Sequence, residues 1–137
     1  MFPTVDIAGT GLDVDQTWLD TIGGNVANAE DAVAPGSPVY REQEVVAEAA
    51  PESLSPNASG VGDGVQVEQI SLGSAQGILS YDPTNPIANK AGDVVYPNVN
   101  VGHEMTSLVE AQVSYEANAN VLQQSDDAYK SILAIKA

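Results

Sequence analysis

Apolar residues recur every seven positions at both ends of the chain, and the regular spacing disappears between them. In the first segment Val5, Leu12, Leu19 and Val26 form one row, and Ala8, Ile22 and Ala29 form a companion row interrupted by Asp15. Apolar positions at i, i+3 and i+7 mark one face of a helix, and a sustained seven-residue period marks a face that packs on another helix. The spacing predicts a helix over 4–28, with Thr4 or Asp6 placed to cap its start. Gly9, Gly11, Gly23 and Gly24 weaken it, at about 1 kcal/mol each relative to Ala in a helix interior. Such a helix depends on what it packs against.

The last segment repeats the pattern with larger residues. Leu108, Tyr115, Leu122 and Tyr129 are seven apart, and Ala111, Asn118, Ser125 and Ile132 make the second row. Met105 and Val109 widen the stripe at its start, and Ile132 and Leu133 at its end. No Gly or Pro interrupts 103–136, which predicts one helix of about 30 residues, roughly 45 Å long at 1.5 Å per residue. That length exceeds the usual globular helix and suggests a coiled coil or bundle, although an ordinary two-helix core stripe has the same period. Leu12, Leu19, Ile22 and Val26 are expected to pack against Leu108, Tyr115, Leu122 and Tyr129.

Seven of the eight prolines and most of the glycines lie between these helices. There, 39–46, 65–70, 78–81 and 94–96 have the composition of short strands or extended segments, and 51–64 reads as a loop or linker. The expected architecture is mainly α with a small β-rich insert. Residues 1–30 and 101–137 supply terminal helices packed as a coiled coil or bundle, and 31–100 supply central strands and loops.

Composition narrows the function more than the fold. Four Lys and Arg stand against 19 Asp and Glu, a net charge of −15. Binding to nucleic acid or to an anionic membrane surface needs clustered cations, and these four are scattered. There is no Cys, so neither a disulfide nor a thiolate site is expected. His103 is the single imidazole. No stretch approaches the roughly 20 apolar residues of a membrane span. The first residues lack the basic and apolar regions of a cleavable secretory leader, so either a cytosolic location or a leader-independent export route is expected.

Candidate chemical motifs fail one by one. Gly9-Thr10-Gly11 lacks the third glycine and the preceding strand of a dinucleotide loop. Asp13 and Asp15 begin like a calcium loop, but Trp18 stands where that loop needs Gly and Gly24 where it needs Glu. His103 has no nucleophile elbow to serve. Asp126 and Asp127 are adjacent acids in an acid-rich chain, and the Asn57-Ala58-Ser59 sequon is read as incidental. No enzyme activity, cofactor, metal or small-molecule substrate is expected.

Longer motifs do carry a resemblance. Tyr81-Asp82-Pro83-Thr84-Asn85-Pro86 is followed by Gly92-Asp93-Val94-Val95-Tyr96-Pro97-Asn98-Val99-Asn100, then Glu104-Met105, then Ser114-Tyr115-Glu116-Ala117-Asn118. Near the start stand Asp6 to Leu12, Trp18-Leu19-Asp20 and Asn25-Val26-Ala27-Asn28-Ala29, with Pro38-Val39-Tyr40-Arg41-Glu42 beyond. In this order and spacing the chain resembles the FlgC family of proximal rod proteins of the bacterial flagellar basal body. It departs from the family pattern at Gly24, where a second Asn is usual, and at Asp31, where a Thr is usual.

The resemblance implies a structural subunit located in the basal-body rod, exported through the flagellar type III apparatus and assembled by terminal-helix packing. Its partners would be copies of itself, other rod proteins and the export apparatus. Pro97, Asn98 and Asn100 would position the chain entering the last helix. The insert would lie outside the helical core and face neighbouring rod proteins or the channel through peptidoglycan. Another rod or hook component, or a soluble coiled-coil adaptor or export chaperone, is the alternative.

Overall fold

A computed structural model describes residues 3–51 and 62–135. Most of the loop expected at 51–64, with its Asn57 sequon, lies outside them. The element order is α1 (Pro3–Asn28), β1 (Gln43–Ala49), β2 (Val65–Leu72), β3 (Ile78–Tyr81), β4 (Asp93–Tyr96) and α2 (Val101–Ile135). Both helices match their expected spans closely. Asn100 starts α2: its Oδ1 accepts from the His103 N–H at 3.1 Å and its carbonyl accepts from the Glu104 N–H at 3.0 Å. The first satisfies one of the donors a helix start leaves open, and the second is the first intrahelical bond.

The helices pack antiparallel. Asn25 meets Glu104 at one end and Asp15 meets Asn118 in the middle. At the other end, Val5 and Asp6 line a groove with Leu122, Ser125 and Tyr129. The centre of the seam is small and polar. Ala8, Asp15, Ile22 and Asn25 are buried on α1, and Glu104 and Ala111 on α2. Asn118 Nδ2 donates to Asp15 Oδ2 at 2.9 Å, pairing the polar interruptions of the two rows. Gly11 lies directly beneath that amide, where a Cβ would come within 2.7 Å of it.

Among the residues expected in the seam, Ile22 is buried in the central row of α1 with Ala8 and Asp15, while Leu12, Leu19 and Val26 are half-buried at its flank. On α2, Leu108 and Leu122 are half-buried, but Tyr115 is 37% and Tyr129 45% exposed. The reason is steric. Helices that touch through Ala, Gly and Asn come close together, and bulky Leu and Tyr side chains are displaced to the edges of such a contact. Met105 and Val109 do not widen the seam, because both are exposed, and so are Ile132 and Leu133 at the far end.

The middle is two separate antiparallel ribbons. β1 pairs with β2 from Gln43↔Leu72 to Ala49↔Val65, with a bulge between Val46 and Ala47. β3 pairs with β4 from Ile78↔Tyr96 to Tyr81↔Asp93. Val33 adds a bridge to Val95 through two backbone hydrogen bonds of 2.8 and 2.9 Å, and Val94 is fully buried beside it. The first strand starts later than expected, at Gln43, because the residues before it make side-chain ties. Arg41 Nε and Nη2 donate to the carbonyls of Gly73 and Leu72 at 2.9 and 3.1 Å.

The β1–β2 ribbon is strapped along α1 rather than standing outside the helical core. Asn25 fastens one end at Gln43. Thr10 fastens the other, its Oγ1 accepting from the Val65 N–H at 3.1 Å. Gly64 beside it has φ of 104°, and a Cβ there would run into Thr10. Fifteen helical residues span about 22 Å at 1.5 Å each, close to the length of a seven-residue strand. Helix and ribbon are matched in length.

Candidate assembly site

Three elements that carry parts of the family motifs, the end of α1, the start of β1 and the start of α2, meet at one junction. Asn25 is 1% exposed and lies on the inner face of α1 one turn before its end. Its Nδ2 donates to the Gln43 carbonyl at 2.8 Å, and its Oδ1 accepts from the Gln43 N–H at 2.9 Å and from Tyr40 Oη at 3.0 Å. The Glu104 carboxyl lies beside it. One amide side chain thus holds both backbone groups of Gln43 and the Tyr40 hydroxyl. Asn28, a turn further on, donates to the Gly24 carbonyl at 2.7 Å, and Ala27 is exposed.

Glu104 is the acidic member of this cluster and is 5% exposed. Burial holds its carboxyl above the ordinary glutamic acid range. The Asn25 bond opposes that shift, the Glu42 carboxyl reinforces it by a hydrogen bond and by its charge, and nearby His103 opposes it. Tyr40 is pushed up as well, first by burial and then by the charge of Glu104. A cavity of about 340 Å³ adjoins the cluster, lined by Trp18, Ile22, Glu42, Glu44, His103 and Glu110 among others.

The other motif residues serve the approach to α2. Asp82 accepts at Oδ1 from the Thr84 hydroxyl at 2.8 Å and from the Thr84 N–H at 3.2 Å, which holds its carboxyl below the ordinary aspartic acid range. Asn85 and Asn89 repeat the device, accepting from the N–H groups of Ile87 and Ala91 at 3.2 and 2.7 Å. These side-chain turns stitch the 82–92 loop locally. Gly92, with φ of 87°, lies under the Tyr81 ring and Pro83. Tyr96 is half-buried and paired with Ile78. Pro97 is buried, Asn98 is exposed and Asn100 caps the helix.

On α2 the face opposite the seam exposes Val109 at 59% and Val113 at 62%, with exposed Met105 and Ala117 four residues to either side on the same slanted row. Glu116 stands exposed beside it. Residues four apart on a helix form one slanted ridge, so the ridge was readable in the sequence. The Tyr40 and Gln43 ties to Asn25 were not, since nothing local marks contacts between residues 15 and 18 apart.

The arrangement defines a class: a subunit of two long terminal helices, joined by a strapped β insert, with an uncovered apolar ridge on the longer helix. Comparison with known proteins makes the assignment particular. The profile of the family described as flagellar basal body rod FlgEFG protein C-terminal matches residues 93–135. The flagellar basal-body rod protein FlgC of Borreliella burgdorferi is 32% identical, over 98% of this chain and 97% of that protein. The FlgC proteins of Agrobacterium fabrum and Escherichia coli O6:H1 are each 38% identical, over 93% and 85% of this chain and 88% and 84% of theirs. The chain belongs to the FlgC family of flagellar basal-body rod proteins.

Proposed function

We propose that the chain is a structural, non-enzymatic subunit of the proximal rod, located in the flagellar basal body. It is exported through the flagellar type III apparatus to the rod in the cell envelope and joins copies of itself and other rod proteins through its terminal helices. The helix pair, 1–30 with 101–137, is the axial core, and 31–100 is the insert. The observation that carries this reading is the ridge through Val109 and Val113 on the face of α2 opposite the seam. Isolated apolar residues on a surface are ordinary, but a continuous row on a long helix is an interaction face. The half-buried Leu122 and the exposed Tyr129 border a second open groove, about 730 Å³ in volume. Neighbouring helices seated on the ridge and in this groove would complete a coiled-coil-like packing.

The test is complementation of a strain lacking its own rod gene. Val109→Asp combined with Val113→Asp is expected to change the stability of the isolated chain by less than about 0.5 kcal/mol, as exposed substitutions do. It should nevertheless abolish motility, and the tagged subunit should be missing from purified basal bodies. Leu122→Asp should also block rod assembly, by placing a charge on a half-buried position, while Gln123→Asp, one residue round the helix, should be tolerated better. Normal rods from the double variant would end the proposal that this ridge is an assembly face. A folded dimer of the purified chain would favour the adaptor or chaperone reading instead.

A further inference from the structure

A seven-residue repeat on each helix leaves open where along each other the two come to rest. Leu12, Leu19 and Val26 flank the seam on α1, and Leu108, Tyr115 and Leu122 stand seven apart on α2. A slide of seven residues, about 10 Å along the axis, sets apolar residue against apolar residue again. The buried row does not allow this. Asp15 is 5% exposed and accepts from Asn118 Nδ2 at 2.9 Å, and in that antiparallel register Ala8 is level with Ser125 and Ile22 with Ala111. A slide one way sets Asp15 against Ala111 and Asn118 against Ala8. A slide the other way sets Asn118 against Ile22. Either leaves a polar side chain of the seam facing an apolar one, at the cost of its hydrogen bond. Gly11 completes the site. Its backbone does not need glycine, since its φ is not positive, but a Cβ there would come within 2.7 Å of Asn118 Nδ2. Gly9 and Gly23 on the same helix have nothing within 4 Å of such an atom. Other buried polar groups of α1 point elsewhere: Asn25 binds Gln43 and Tyr40, and Thr21 binds the Thr17 carbonyl of its own helix.

We propose that Asn118 and Asp15, meeting over the slot left by Gly11, are a register key: the specificity-determining residues that select one alignment of α2 on α1 from a repeat that tolerates several. A lone polar pairing in a helix seam specifies register rather than strength, because apolar residues in its place would hold the helices at least as well. The consequence for the rod rests on the reading of ridge and groove as assembly faces. The groove is built from both helices, with Val5 and Asp6 on one side and Leu122, Ser125 and Tyr129 on the other. A slide of one heptad takes it apart. The ridge belongs to α2 alone, so the same slide carries Val109 and Val113 about 10 Å along α1 and its strap. The key presents neighbouring subunits with one arrangement of both faces.

The chain has no Cys, so two introduced ones report the alignment directly. Spin labels on the full chain at Asp20→Cys and Gln124→Cys, both exposed positions, are read by double electron–electron resonance, and one distance is expected. Asp15→Leu combined with Asn118→Leu should keep the helix content and the urea midpoint, since replacing both partners by apolar groups is nearly neutral. It should nevertheless add a second distance, displaced by about 10 Å. Gly11→Ala, which pushes the amide off the carboxyl, should bring in the same second distance. The exchanged pair, Asp15→Asn with Asn118→Asp, keeps a donor opposite an acceptor and should return to one distance. A single unshifted distance in both the leucine variant and Gly11→Ala, or a second distance in the exchanged pair, overturns the key. Should the leucine variant fail to fold, Gly11→Ala decides alone: a second distance supports the key and a single one removes it. Complementation separates the key from the reading it extends. Normal rods from a leucine variant with two distances leave the key standing and count against ridge and groove as assembly faces. Failed rods from a leucine variant with one distance remove the key alone.

Discussion

The β3–β4 hairpin and the α1–α2 pair obtain their order in opposite ways. In the hairpin, the loop from 82 to 92 is fixed by side chains that bind backbone two to four residues away: Asp82 to Thr84, Asn85 to Ile87, Asn89 to Ala91 and Asp93. In the helix pair, the ties that matter cross the chain, from Asp15 to Asn118 and from Asn25 to Gln43 and Glu104. Local ties form without a partner element, whereas the helix pair is ordered only when distant segments arrive together. The pair also leaves much of its bulk apolar surface uncovered, notably Val109 and Val113. A hairpin loop held by its own side chains and helices that remain open to neighbours suit a subunit completed by assembly.

The sharpest way to break this contrast is to remove the non-local hub. Asn25→Ala deletes the bonds to both polar groups of Gln43 and to the Tyr40 hydroxyl, and leaves these half-buried groups without their partner. A net loss of about 3 kcal/mol is expected, from roughly 1 kcal/mol per bond with an added cost for each group left unpaired. Urea unfolding monitored by circular dichroism measures it. Chemical shifts should move at both ends of the junction, around Gln43 and around Glu104. A loss below about 1 kcal/mol would mean that the apolar seam, not Asn25, holds strap and helices together.

The matching change in the hairpin should be smaller and confined. Asn89 Oδ1 accepts from the N–H groups of Ala91 and Asp93 at 2.7 and 3.0 Å. Because the site is exposed, water replaces much of what Asn89→Ala removes, so about 1 kcal/mol is expected. Amide exchange should rise between residues 78 and 96 and stay unchanged near Asn25. Spread of the effect into α1 would show that the hairpin is not locally determined.

The same contrast explains what the sequence disclosed. Both helices were legible to within about two residues at their described ends, since seven-residue periods without Pro are a strong signal. The strand at 78–81 was legible for the same local reason, being bounded by Gly77 and the Asp82 turn. Which row of each helix faces inward was not. Rows offset by three residues lie only about 60° apart on a helix, and their hydrophobicity favoured the Leu and Tyr row. Close approach through Ala8, Gly11 and Ala111 decided the matter, and approach distance is a property of the pair. The sequence motifs did mark Asn25 and Glu104, but only the fold brings them together.

The smallest expected effect concerns the net charge of −15, which distinguishes core from surface rather than one element from another. In the proposed assembly like-charged copies would stand side by side, so repulsion would oppose each contact that the ridge and groove favour. Internal neutralisation is slight. Arg41 is bound to backbone carbonyls, and Lys130 pairs with Asp126 one turn away on α2, an exposed pair of the kind that contributes little. Added salt shortens the screening length from about 10 Å at 0.1 M to about 3 Å at 1 M. It weakens repulsion between whole surfaces while leaving apolar contact intact. Self-association of the isolated chain should therefore strengthen modestly as potassium chloride rises over that range, as read by sedimentation velocity at fixed protein concentration. The ridge variant Val109→Asp with Val113→Asp should lose the response, because without an attractive face screening has nothing to uncover. Association that weakened with salt would point to specific charge pairing between subunits, and the basic residues making those pairs would have to be sought among Arg41, Lys90, Lys130 and Lys136.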